Sequence, residues 1–155
     1  MSNNIDYMKG NLLEADTEAL VNAVNTVGVM GKGLALQFKQ AFPENYRAYA
    51  AACKRSEVRP GEMFVTETHT PAGRRVIINF PTKRDWRAKS KVEDIEAGLD
   101  ALVREIQARN IRSIALPALG CGLGGLEWEA VRPLIEDAFV KLPDIRVLVY
   151  LPQGR

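Results

Sequence analysis

VNAVNTVGVMGKGLALQF, residues 21–38, decides the fold. Its first half is a valine-rich run that stops at Asn25. Its second half carries Gly28, Gly31 and Gly33 and runs into a helical pattern at Leu34. A strand that leaves through a glycine loop into a helix is the building step of an α/β domain. In such domains ligands sit beyond the carboxyl ends of the strands. Glycines let a backbone approach a phosphate closely, and free N–H groups at a helix start attract an anion. The loop is not a P-loop, because Gly33 follows Lys32 where a hydroxyl is needed, and the GxGxxG spacing is absent. Alone, the loop reads equally as a flexible turn with a helix cap. Asn22 and Asn25 offer amides to ribose hydroxyls, or simply end the strand.

A second loop of the same kind lies downstream. ALGCGLGGLEWE, residues 118–129, follows the apolar run SIALP and precedes another helical pattern. Gly120, Gly122, Gly124 and Gly125 are too many for one turn. Two such loops at strand ends fit a cleft that grips a diphosphate from both sides.

The remaining pattern alternates apolar runs with helical ones. Strands are expected at Ile5–Met8, Ala19–Ala23, Met63–Thr68, Val76–Phe80, Ser113–Leu116 and Arg146–Leu151. Helices are expected at Gly33–Ala41, Glu44–Lys54, Val92–Arg109 and Glu127–Lys141. Val92, Ile95, Leu99, Leu102, Val103 and Ile106 recur at the spacing of one buried helical face. Pro43 suits a first helical position. This order implies one α/β domain over residues 1–155, with a largely parallel sheet and helices on both faces. The first few residues are expected to be flexible or a remnant of expression.

Composition is ordinary: 46% hydrophobic, 26% charged, net charge +2. Cys53 and Cys121 are far apart, and His69 is the single histidine. That argues against a zinc site and a disulfide scaffold, and suits a reducing cytoplasm. No apolar run reaches the roughly 18 residues of a membrane span, and the start lacks a signal peptide's apolar core. No metal, cofactor or membrane partner is expected.

INFPTKRDWRAKSK, residues 78–91, is the odd junction. An apolar strand meets Pro81, then Lys83, Arg84, Arg87, Lys89 and Lys91 against one acid, Asp85. A basic stretch beside a cleft pairs with phosphates, and Trp86 offers a face for a base. The plainer alternative is a solvated loop with Trp86 packed beneath it. His69 reads as an edge residue, Cys121 as packing under its loop, and Trp128 as core. Tyr46 and Tyr49 read as scaffold.

GNLLEADTEALVNAVN, then VGVMGKGLALQF, then ALGCGLGGLEW together closely resemble the macrodomain family, from Tyr7 to Leu151. The resemblance implies a three-layer α/β/α fold, with a mixed, largely parallel sheet, that binds ADP-ribose. It implies that Asn11, with Leu12, meets the adenine, where most members have an aspartate. Asn22 and Asn25 would meet the ribose. Gly28, Met30, Gly31, Lys32 and Gly33 would form one phosphate loop, and Leu119, Gly120, Cys121, Gly122, Leu123 and Gly124 the other. Pro152 would cover the adenine.

NFPTK narrows this to a branch that includes terminal ADP-ribose protein glycohydrolases and the DarG antitoxins of DarT–DarG pairs. In the protein glycohydrolases the lysine works with an aspartate in the second glycine loop; here that position is Gly124. NFPTKRDWR with GNLL and GCGLGGL resembles the DarG branch more closely. The resemblance therefore implies release of ADP-ribose from thymine in single-stranded DNA, with Lys83 as the catalyst and Arg84, Trp86, Arg87 and Lys89 meeting DNA. Lys83 would act as acid, as electrostatic stabiliser or as nucleophile. Glu127 and Asp85 are candidate substitute acids. A DarT-type toxin is the expected partner, through a C-terminal region absent from this sequence. The alternatives are a hydrolase for ADP-ribosylated protein carboxylates or O-acyl-ADP-ribose, and a noncatalytic ADP-ribose reader.

Overall fold

The structure is a computed structural model and describes residues 4–152. The first few residues, expected to be flexible or an expression remnant, lie largely outside that range. Six strands form one sheet: β1 (Ile5–Met8), β2 (Ala19–Val24), β3 (Phe64–Thr70), β4 (Gly73–Pro81), β5 (Ser113–Pro117) and β6 (Arg146–Tyr150). Four α-helices surround it: α1 (Gly33–Ala41), α2 (Pro43–Lys54), α3 (Val92–Ala108) and α4 (Trp128–Val140). The strand order is β1-β6-β5-β2-β4-β3. Every neighbouring pair is parallel except β3–β4.

Alternation along each strand builds the layers. On β2, Ala19 and Val21 face the core under α3 and α4, while Leu20 and Val24 face α1 and α2. On β4, Val76, Ile78 and Phe80 take the first side and Ile77 the second. Both faces of the sheet are buried, so its central strands read as continuous apolar runs. α3 buries Ile95, Leu99, Leu102, Val103 and Ile106 as its spacing requires. Gly98 on the same face lets the helix approach β4 so closely that a Cβ there would run into the Phe80 ring.

The expected elements are all present, with shifted ends. β4 starts at Gly73 rather than Val76, because its pairing with β3 extends down a hairpin to Thr70↔Gly73. A 3-10 turn at Leu12–Glu14 was not expected. Asn11 builds it, with Oδ1 accepting from the Leu13 N–H at 3.0 Å.

The order of the strands positions the site. β2 and β5 are neighbours, yet the chain leaves β2 toward α1 on one face and β5 toward α4 on the other. A crevice opens between such diverging loops. They are the two glycine loops.

Candidate active site

A cleft of about 1390 Å³ opens at this crest. That exceeds the roughly 300–1,000 Å³ of ordinary small-molecule pockets. The first glycine loop supplies Asn25, Val29, Gly31, Lys32 and Gly33 to its wall; the second supplies Gly120 to Gly124. Lys83, Trp86 and Arg87 line it from the basic loop. Gly10, Asn11, Leu12, Tyr150, Leu151 and Pro152 line it from the β1–β6 side.

Asn25 builds the first loop. Its Oδ1 accepts from the N–H groups of Val27 and Val29, and its Nδ2 donates to the Val29 carbonyl at 2.8 Å. The buried Tyr49 hydroxyl lies 2.8 Å from the Asn25 carbonyl and 2.9 Å from its Oδ1. These bonds fix which way the amide faces and leave one Nδ2 hydrogen for a ligand. Gly28 holds φ +88°, which favours glycine, and Tyr46 reaches its carbonyl at 3.3 Å.

Three residues expected at the ligand lie beneath the loops instead. Asn22 is fully buried on the α1/α2 side, where its amide faces Asn79 Oδ1 and Met30 Sδ. Met30 is core beside Tyr49. Leu119 is fully buried under α3 and α4. Gly28 does not reach the cleft wall either; it packs against Ala50 and Cys53.

The second loop turns at Gly120, φ +76°, where the Leu126 N–H donates to the Gly120 carbonyl at 2.9 Å. Cys121 is buried with Sγ 3.7 Å from the Leu119 carbonyl, as expected of a packing residue. Leu123 projects from the loop tip, 70% exposed. Ser90 lies under the loop. Its N–H donates to the Gly124 carbonyl at 2.9 Å, while its buried Oγ has no hydrogen-bond partner among the described residues.

Lys83 follows directly on the sheet, because the Thr82 N–H continues the ladder to Val24 O at 2.8 Å. Its Nζ donates to the Trp86 carbonyl at 3.0 Å. Burial pulls its pKa below the ordinary lysine value, and Asp85 nearby partly offsets this. Asp85 does not line the cleft. The Arg87 backbone N–H and side chain hold its carboxyl below the usual range. Arg84 pairs bidentately with Asp94, and neither it nor Lys89 lines the cleft. Glu127 lines it, as do Glu129, Gln37 and Trp128, three residues not expected there from sequence. Neither glutamate takes a hydrogen bond or ion pair from Lys83. Trp128 also packs edge-on against Tyr7, 6.2 Å between centroids. Among the described residues no cluster of three or more His, Cys, Asp or Glu is placed to hold a metal ion. No described helix is long and apolar enough to cross a membrane.

The Macro domain family profile matches residues 21–135, which contain both glycine loops and Lys83. The chain is a macrodomain. The macrodomain is 56% identical over 150 residues to a Mycobacterium tuberculosis protein named DNA ADP-ribosyl glycohydrolase. The match covers 97% of the chain but 43% of that protein. The structure of the macrodomain of M. tuberculosis DarG superimposes with a TM-score of 0.94 at 56% identity, covering 96% of this chain and 98% of that one. Thermosipho africanus DarTG in complex with ADP-ribose gives 0.93 at 38% identity, over 99% of this chain and 43% of that one. The macrodomain therefore spans less than half of these longer relatives.

Proposed function

We propose that this macrodomain removes ADP-ribose from thymine bases of single-stranded DNA and so reverses modification by a DarT-type toxin. The observation that carries the reading is its 56% identity, across nearly the whole chain, to a protein named DNA ADP-ribosyl glycohydrolase. Lys83 on the cleft wall between two glycine loops supports it. The match to DarTG, of which this macrodomain covers under half, supports a toxin partner joined or bound outside it.

The reaction adds water across the bond from the ribose C1 to the thymine ring nitrogen. Hydroxide goes to carbon, and the proton ends on nitrogen. Positive charge grows at the carbon and negative charge on the departing imide. The Lys83 ammonium, anchored through the Trp86 carbonyl, stabilises that anion and protonates it. An imide leaves more readily than an amide, which fits a second loop with glycine at position 124. Asn25 presents its remaining N–H to the ribose side, and the two loops present backbone N–H groups to the diphosphate.

Two substrates and the product in parallel test the reading: ADP-ribosylated single-stranded oligonucleotide and glutamate-modified protein for release, and free ADP-ribose for binding by calorimetry. Release from the oligonucleotide alone is expected. Release from protein alone, or binding without release from either, would replace the reading with a protein hydrolase or a noncatalytic reader.

A further inference from the structure

The cations of the basic loop are not equally available. Arg84 is held by both Asp94 oxygens, at 2.8 and 3.3 Å, in the first turn of α3. Arg87 lies over the Trp86 ring, 5.1 Å from its centroid, and its Nε donates to Asp85 at 3.3 Å. Each of these pairs is close to neutral from a distance. Lys83 lines the cleft, with its Nζ held by the Trp86 carbonyl. The side chains of Lys89 and Lys91 have no hydrogen bond or ion pair among the described residues, and both residues are exposed.

Lys89 is nevertheless placed. The Ser90 N–H donates to the Gly124 carbonyl, which fixes the adjacent backbone against the second glycine loop. Lys89 Cδ and Nζ each lie 3.5 Å from where a Cβ on Gly125 would stand. The ammonium therefore lies over the outer side of the loop whose inner side lines the cleft. Lys91 follows at the N-cap of α3. Trp86, on the same basic loop, is 50% exposed and lines the cleft.

We infer that a single-stranded nucleic acid runs over Lys89 and Lys91, outside the second glycine loop, with a base against Trp86, and that Arg84 braces the loop instead of gripping the strand. The inference rests on the proposed function. A base held at Lys83 sends its strand out through this mouth. Lysines without partners gain the full attraction of a phosphate and release its counterions, whereas a paired arginine must first share its carboxylate.

Two measurements test it. Anisotropy reads binding of an unmodified single-stranded oligonucleotide across a salt series, and initial rates read the modified oligonucleotide. Lys89→Glu with Lys91→Glu should weaken binding at least about tenfold and lower the salt slope by about 1.4, near 0.7 per lost phosphate contact. It should raise KM for modified DNA and leave calorimetric affinity for ADP-ribose unchanged. Arg84→Gln should alter oligonucleotide affinity less than about twofold, a small fraction of a phosphate contact. Unchanged binding in the double lysine variant, or a larger loss in Arg84→Gln at unchanged Tm, overturns the inference. A wild-type protein that binds the oligonucleotide but releases nothing overturns the proposed function and leaves the strand path standing.

Discussion

A Cβ on Gly124 would collide with the Ser90 hydroxyl and stand 2.5 Å from the Gly120 carbonyl oxygen. Position 124 thus has no room for a side chain on this backbone. The missing carboxylate is a matter of loop shape as well as of residue identity. Gly124→Asp should therefore fail to gain hydrolysis of glutamate-linked ADP-ribose, and should lower Tm, since overpacking costs about 1–3 kcal/mol of folding stability. The protein substrate and a thermal melt check both.

Ser90→Ala should do the opposite to stability. The Ser90 Oγ is buried without a hydrogen-bond partner among the described residues, a state that costs about 1–3 kcal/mol. Its removal is expected to raise Tm by a few degrees in a chain of this size, with the Ser90 backbone bond to Gly124 intact. A thermal melt decides.

Lys83 gives a pH signature. Burial lowers its pKa, so the ammonium is less favourable folded than unfolded. Its contribution to stability therefore rises with pH between the folded and unfolded values. Activity runs the other way. The rate of ADP-ribose release should fall on the alkaline side, starting below the pH at which free lysine titrates, because the ammonium is the working form in the proposed reaction. Lys83→Arg should flatten that limb while keeping a residual rate. A rate that climbs with pH, with Lys83→Arg inactive, would assign Lys83 as the nucleophile.

Tyr49 holds the Asn25 carbonyl and amide without touching the cleft. Tyr49→Phe removes one buried hydrogen bond, worth about 1 kcal/mol of folding stability, and should weaken ADP-ribose binding by at most roughly fivefold, the limit at which all of it is lost from the complex. In an Asn25→Ala background the same change should cost little, because the amide it orients is gone. Calorimetry on the four proteins of this cycle measures the coupling.

Far from the cleft, Glu18 joins Arg74 at 2.9 Å and accepts from the Arg112 N–H at 3.0 Å. Arg74 and Arg109 share Glu67 at 3.5 and 3.0 Å. Glu18→Gln should cost about 1 kcal/mol, or roughly 2–4 °C in Tm, less at high salt. ADP-ribose affinity should stay unchanged.

Much of this architecture was legible in sequence because it rests on period. The apolar spacing of α3 and the alternating strands place the layers, and the glycine loops sit where strands end. Parity would also have buried Asn22, which shares its strand face with Leu20 and Val24. A local reading as a strand-end amide missed that. The 3-10 turn depends on one capping bond from Asn11. The Ser90–Gly124 and Arg84–Asp94 contacts join segments that only the fold brings together. For the same reason Trp128, read as core, also reaches the cleft: its ring packs on Tyr7 of β1 while α4 starts at the loop's end.

The most direct test of the central claim compares wild type with Lys83→Ala on a single-stranded oligonucleotide carrying ADP-ribosylated thymine, read as ADP-ribose released in a single turnover. Wild type is expected to release it, and Lys83→Ala to release almost none while binding free ADP-ribose as tightly. Equal release by the two proteins, or none by wild type, would contradict the account.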